Sequence, residues 1–320
     1  MGIENINKLI KRHCPDALIT LPITALSGKR VAIDTSLWMR ANMRTARKIV
    51  IERLESPTDE INSAEITREW MLLATNFAAK WIEYQVGPIF ILDGAPPIEK
   101  NDVVASRKAK DIALLSTIES LYQQLSENPA IFPEFKREFS KYTCISKENY
   151  EIFITIMKRI GIPCIQAKSE AEHLCSMLYR DGKVAGIFST DTDILAYGGG
   201  LLITKFSKSR TKTADGTTIP CLNCVRIDKV LEGLKLTYSE FIDLCIMSGC
   251  DYNKHMPGYA CIKSYKLINQ HKSIDKLPRH LPVPILNHVR CRELFSYVKY
   301  PDLISHDTEN TLILRGLYRF

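Results

Sequence analysis

Seven acidic residues stand where apolar segments end or helices begin: Asp34, Asp93, Glu170, Glu172, Asp191, Asp193 and Asp251. Glu170 to Asp193 places four of them within 24 residues, and STDTDIL (189–195) sets two aspartates two positions apart. An isolated acid at such a place is usually a helix cap or a turn former. Seven together need another cause, because clustered carboxylates repel and burying them costs several kcal/mol unless cations neutralise them. No His or Cys accompanies the set, since His173, beside Glu172, faces another way on a helix. Oxygen-only ligation suits a hard divalent cation, Mg²⁺ or Mn²⁺. Seven carboxylates exceed the needs of one ion, and two ions ~4 Å apart would use them. That chemistry is in-line attack of an activated water on a phosphodiester. The chain carries a formal charge of +7, so a basic surface that attracts a polyanion would surround an acidic pocket that attracts metal.

The elements that would hold these acids are legible as a pattern. Three apolar runs, RVAID (30–34), PIFILD (88–93) and VAGIFSTD (184–191), read as strands covered on both faces, and each runs into an aspartate. Ile66, Trp70, Leu73, Phe77, Trp81 and Tyr84 recur at helical spacing and stop at Gly87-Pro88. Further helical patterns cover roughly 147–160 and 170–181. The βαβ rhythm predicts an α/β fold, a central mostly parallel sheet flanked by helices. Ligands of such sheets sit beyond the carboxyl ends of the strands, where the three aspartates would meet. Residues 98–146 are polar and weakly periodic and read as a helical insertion. TKFSKSRTKT (204–213) reads as a mobile loop or a hairpin. Thr237 and Glu240 form a capping box. Pro257 and Gly258 then separate two helical segments whose turn could face a DNA backbone.

Bulk composition is that of a soluble globular protein: 320 residues, 45% hydrophobic and 25% charged. No apolar run reaches the ~20 residues that span a bilayer. The amino terminus does not read as a signal peptide, and Ile6 stands where a myristoylation signal needs Ser or Thr. The ten cysteines are scattered, as expected of free thiols in a reducing compartment. Cys221 and Cys224 form one CxxC without the second pair that a zinc site needs.

These residues resemble the structure-specific 5′ nucleases, most closely flap endonuclease. The resemblance runs through MGIENINKLI, VAIDTSLW, FILDGAPPIEK, SEAEHLCSMLYRDGKVAGIFSTDTDILAYG, FIDLCIMSGCDY and PGYACIKSYKLINQHKSI, in family order. It implies a PIN-like nuclease domain over 1–276. Within it lie a helical arch at about 98–146 and a helix–two-turn–helix at about 237–270. Residues 277–320 would be an extension packed on that domain. The seven acids would bind two Mg²⁺ or Mn²⁺. Lys100 and Arg107 would project from the base of the arch toward the scissile phosphate, on one face of a helix if the segment is helical. Gly2, Arg40, Gly258 and Lys263 would contact DNA. The carbonyls of His255, Met256 and Tyr259 would hold a monovalent cation, possible K⁺ ligands by backbone shape alone. The implied partner is branched or flapped DNA, and the implied work is DNA replication or repair.

The sequence departs from the family at three places. Ala260 replaces a second glycine, Cys261-Ile262 replace a proline-lysine pair, and Arg40 replaces an aromatic that stacks on a base. An arginine can stack too. The segment TLILRGLYRF carries no sliding-clamp motif. A monomeric, intracellular protein is expected, with the nucleus favoured over the cytoplasm. The expected activity is cleavage of 5′ flaps at single-strand/double-strand junctions. Three alternatives are a 5′→3′ exonuclease of the same family, a non-catalytic junction binder, and an Asp-x-Asp phosphatase. The last needs an aspartyl nucleophile directly at an early strand end, whereas Ser189-Thr190 intervene and the pair comes late.

Overall fold

The computed structural model describes residues 2–213, 216–254 and 256–305. The chain divides into two compact units. The first comprises Met1–Thr35, Tyr84–Lys100 and Ile165–Phe320, and the second Ser36–Glu83 and Asn101–Cys164.

A seven-stranded sheet organises the first unit. Its strands are β1 (Leu18–Pro22), β2 (Arg30–Asp34), β3 (Gly87–Leu92), β4 (Cys164–Gln166), β5 (Gly186–Phe188), β6 (Leu201–Lys212) and β7 (Thr218–Arg226). Their order is β1-β7-β6-β5-β2-β3-β4. β2 runs parallel to β3 on one side and to β5 on the other, and β5 runs parallel to β6. β7 pairs antiparallel with both β6 and β1. Val31, Ala32 and Ile33 are wholly buried, as a central strand covered on both faces requires. The basic 204–213 stretch is the outgoing strand of the β6–β7 hairpin, and Cys221 and Cys224 lie buried on β7.

The helices of this unit are α1 (Ile6–His13), then, after five in the second unit, α7 (Ala171–Arg180), α8 (Asp193–Ala196), α9 (Ile227–Leu234), α10 (Tyr238–Ser248), α11 (Cys261–His271) and α12 (His288–Leu294). Ile6, Leu9 and Ile10 bury one stripe of α1, and Ile3 packs into the same core. The predicted capping box at Thr237 and Glu240 is formed at the start of α10. Leu281, Leu286, Cys291, Phe295, Tyr300 and Ile304 join the same apolar cluster as the sheet, so the stretch from 277 to 305 contributes to this core. All ten cysteines are free thiols.

The second unit is helical, with α2 (Thr35–Glu52), α3 (Ser63–Ile82), α4 (Asn101–Gln124), α5 (Phe132–Lys141) and α6 (Lys147–Arg159). The side chain of Asn62 caps α3 by accepting from the amides of Ala64 and Glu65. Trp70 donates from its indole to the Met39 carbonyl at 3.2 Å and packs against Phe153. The polar insertion expected at 98–146 supplies α4 and α5, on which Ile118, Phe135 and Phe139 are the buried residues.

Candidate active site

The three strand-end aspartates do meet at one sheet edge. β3, β2 and β5 are adjacent and parallel, and register pairs Asp34 with Ile91 and Ile33 with Phe188. Asp34 ends β2, Asp93 follows β3, and Asp191 lies three residues beyond β5. Glu170 is the residue before α7 and Glu172 lies in its first turn. The Asp93 carboxylate accepts from the Ala171 amide at 2.7 Å, so the strand-end acid caps the helix that carries the two glutamates. Asp193 opens α8, and its amide donates to Asp191 Oδ1 at 3.0 Å, which sets the spacing within the Asp-Thr-Asp turn. Asp251 follows α10 in a loop fastened by Asn253, which accepts from the Cys250 amide at 3.0 Å and donates to the Ile246 carbonyl at 2.9 Å.

Burial and mutual repulsion dominate the electrostatics. Asp34 is buried, and its carboxyl is pushed up to about 8 by desolvation, then by Asp93 and Asp191, against a hydrogen bond from Ser189 and the charge of Lys100. Burial likewise raises Glu172, with further contributions from Asp34, Asp191 and Glu170 against relief from Lys100. Asp193 is raised by burial and by Asp191, Asp251 and Glu170. Burial raises Asp191 too, against the hydrogen bond from the Asp193 amide. These couplings link all seven acids, drawn from five separate stretches of chain, into one electrostatic group.

Lys100 lies inside it. The ammonium donates to Glu170 and sits 3.4 Å from Asp251. Burial opposes its charge, but Glu172 and Glu170 outweigh that and hold the amine above its usual range. Lys100 would share one helix face with Arg107 only if one helix carried both. Instead it ends a 3₁₀ turn (Ile98–Lys100), and α4, which carries Arg107, starts one residue later in the other unit.

Which side chains remain unsatisfied bears on what the site could hold. Both carboxylate oxygens of Asp193, one of Glu172 and the Thr192 hydroxyl are buried without a hydrogen-bond partner. Among the described residues, no group of three or more His, Cys, Asp or Glu side chains is already closed tightly enough to hold a metal ion. The orphaned carboxylate oxygens nevertheless fit a divalent cation: they are hard donors that lack any protein proton to bond. His173 is not among the donors. Its ring stacks on Tyr197 at 4.6 Å, and burial lowers it to about 4.

The remaining predicted residues are dispersed. Gly2 approaches this site: at φ 85°, a Cβ there would fall 2.0 Å from Asp191 Oδ1 and 2.7 Å from Thr192 Oγ1. Arg40, on α2, pairs with Asp111 of α4 at 3.4 Å. Gly258 adopts φ 78° in the exposed turn between α10 and α11, and Lys263 lies 5.7 Å over the Tyr259 ring. The Met256 carbonyl accepts from the Tyr259 amide at 3.0 Å, and that of Tyr259 from the Ser264 hydroxyl at 3.1 Å. His255 lies outside the described residues, as does TLILRGLYRF.

Sequence reasoning missed three supports. Ser189 donates to Asp34 at 2.6 Å and accepts from the Asp191 amide at 2.9 Å. Asn253 fastens the Asp251 loop, and Gln166 donates to the Asp93 carbonyl. Only Ser189 had a signal, a hydroxyl between a strand and the Asp-Thr-Asp turn.

The family models for the XPG N-terminal domain and the XPG I-region match residues 1–113 and 161–251. A probable RAD2-like endonuclease of Invertebrate iridescent virus 6 is 32% identical over 93% of this chain and 80% of its own length. The chain belongs to the XPG family of nucleases. Flap endonuclease 1 of Cryptosporidium muris is 29% identical to this XPG-family chain over 92% of its length, and the match spans 62% of that relative. The catalytic core of Rad2, solved with a DNA substrate, shares the nuclease fold, with a TM-score of 0.60 over 99% of this chain and 94% of that one at 14% identity.

Proposed function

We propose that this XPG-family nuclease is a divalent-metal-dependent enzyme that cleaves 5′ flaps at single-strand/double-strand junctions of DNA. The observation that carries the metal requirement is the orphaned set of carboxylate oxygens on Asp193 and Glu172, buried beside five further acids. Asp34, Asp93, Glu170, Glu172, Asp191, Asp193 and Asp251 would hold two Mg²⁺ or Mn²⁺. Such ions, when bound, activate water and offset charge on the reacting phosphate.

The residues around them have separate tasks. Ser189 holds Asp34 and the Asp191 turn in place. The Gly2 backbone packs against Asp191 and Thr192, where any side chain would collide. Lys100 neutralises Glu170 and Asp251 and presents a cation where phosphate charge grows. Arg107 keeps the role that the resemblance gives it, a second cation for the scissile phosphate. Gly258 and Lys263 grip the duplex backbone, and Arg40 stacks on a base. A K⁺ ion at the turn before α11 would draw on the carbonyls of His255, Met256 and Tyr259, since each of the two described carbonyls that already accepts one bond keeps a second lone pair.

Product mapping on one labelled 5′-flap oligonucleotide, beside a blunt duplex, tests this reading. Mg²⁺-dependent release of the flap near the junction supports it. Preference for the blunt end makes the enzyme a 5′→3′ exonuclease. Tight flap binding without cleavage in Mg²⁺ or Mn²⁺ makes the protein a binder and overturns the proposal.

A further inference from the structure

The acids receive Lys100 from a short turn, Ile98–Lys100, closed by the Lys100 amide donating to the Pro97 carbonyl at 3.0 Å. A three-residue 3₁₀ turn has little stiffness of its own. Besides the contacts of Lys100 itself and the start of α4, one brace comes from α12, nearly 200 residues away in sequence. Arg290 Nε donates to Glu99 Oε1 at 2.7 Å, on the residue next to Lys100. The Glu99 side chain is only 11% exposed and its second oxygen is buried without a partner. Among the described residues Arg290 is the cation paired with this nearly buried carboxylate, and its loss leaves that charge uncompensated.

α12 and the residue after it also pack on Tyr252, whose ring faces Lys100. The Tyr252 ring lies 5.8 Å from the Lys100 ammonium. Phe295 packs edge-on to Tyr252 at 5.6 Å, and the Cys291 thiol lies 3.9 Å from the Tyr252 carbonyl. Tyr252 is tied in turn to Tyr197 through their hydroxyls at 2.5 Å.

We propose that Arg290 is a positioning residue for phosphodiester cleavage: its ion pair with Glu99 holds the Ile98–Lys100 turn so that Lys100 reaches the carboxylate group. This rests on the role given to Lys100 above. It assigns a task to a segment in which the sequence shows no motif.

The test is a double-mutant cycle read as single-turnover cleavage of a 5′-flap substrate in saturating Mg²⁺, with DNA affinity and Tm measured on each variant. Arg290→Gln is expected to slow the single-turnover rate about ten-fold. That lies between the small worth of an exposed ion pair and the roughly hundred-fold cost of displacing a reacting group by an ångström. DNA affinity should stay unchanged. In a Lys100→Ala background, Arg290→Gln should slow cleavage no further, and exchanging the pair (Glu99→Arg with Arg290→Glu) should recover most of the rate. Equal slowing with and without Lys100, or no slowing at all, overturns the proposal while leaving Lys100 its role. Wild-type cleavage by Lys100→Ala alone overturns the reading of Lys100 and this proposal with it.

Discussion

Asp34→Asn should stabilise the metal-free protein while abolishing cleavage. The Asp34 carboxyl is raised from 3.8 to about 8, chiefly by burial and then by Asp93 and Asp191. At ~1.4 kcal/mol per pH unit, that rise corresponds to roughly 6 kcal/mol for an isolated group. The repulsion is shared among neighbours that relax when one charge is removed, so about 2 kcal/mol is the recovery expected from one substitution. A carboxyl raised on folding contributes stability that is complete below about pH 4 and is lost as pH rises through about 8. Asparagine carries no such charge, yet its amide oxygen can still accept the Ser189 hydroxyl. Urea denaturation in EDTA at pH 6 and pH 8.5 measures this. The variant should exceed the wild type at pH 8.5, and the gap should narrow at pH 6. Mg²⁺ should stabilise the wild type more at pH 8.5 than at pH 6, because binding requires the deprotonated acids, and should do little for the variant. A variant less stable than the wild type at pH 8.5 in EDTA would refute the claim that uncompensated burial dominates this site.

Other substitutions separate the site from its scaffold. Gly2→Ala places a methyl 2.0 Å from Asp191 Oδ1 and should cut single-turnover cleavage by at least about ten-fold with little change in Tm. Ser189→Ala removes a bond that favours the charged form of Asp34, so the acidic limb of the pH–rate profile should move to higher pH. Thr237→Ala breaks the capping box of α10 and should cost about 1 kcal/mol in denaturation while leaving the cleavage rate unchanged.

What was legible in the sequence follows from how strongly each segment is constrained. RVAID and PIFILD are buried on both faces between parallel neighbours, so their composition alone marks them, and the aspartates at their ends mark the site. β1 and β4 are the two edges of the sheet, and LITLP and CIQ are short and partly exposed, so neither carries a strong pattern. The α12 region was silent because Pro282 and Pro284 break it into short turns, and its buried residues, Leu281, Leu286, Cys291 and Phe295, keep no single period. The spacing of Lys100 from Arg107 puts both on one helix face only if a single helix carries them. The chain enters α4 one residue after it, and the turn aims the lysine inward instead. Ser189, Asn253 and Gln166 act through single hydrogen bonds to residues far away in sequence, and nothing local in the chain announces such a partner.

On the function proposed here, acids from distant segments share one divalent-cation pocket. Counting bound Mn²⁺ by electron paramagnetic resonance, on wild type and on Asp193→Asn, tests it most directly. The expected result is up to two ions on the wild type and loss of at least one on the variant. Equal Mn²⁺ occupancy of the two proteins would contradict it.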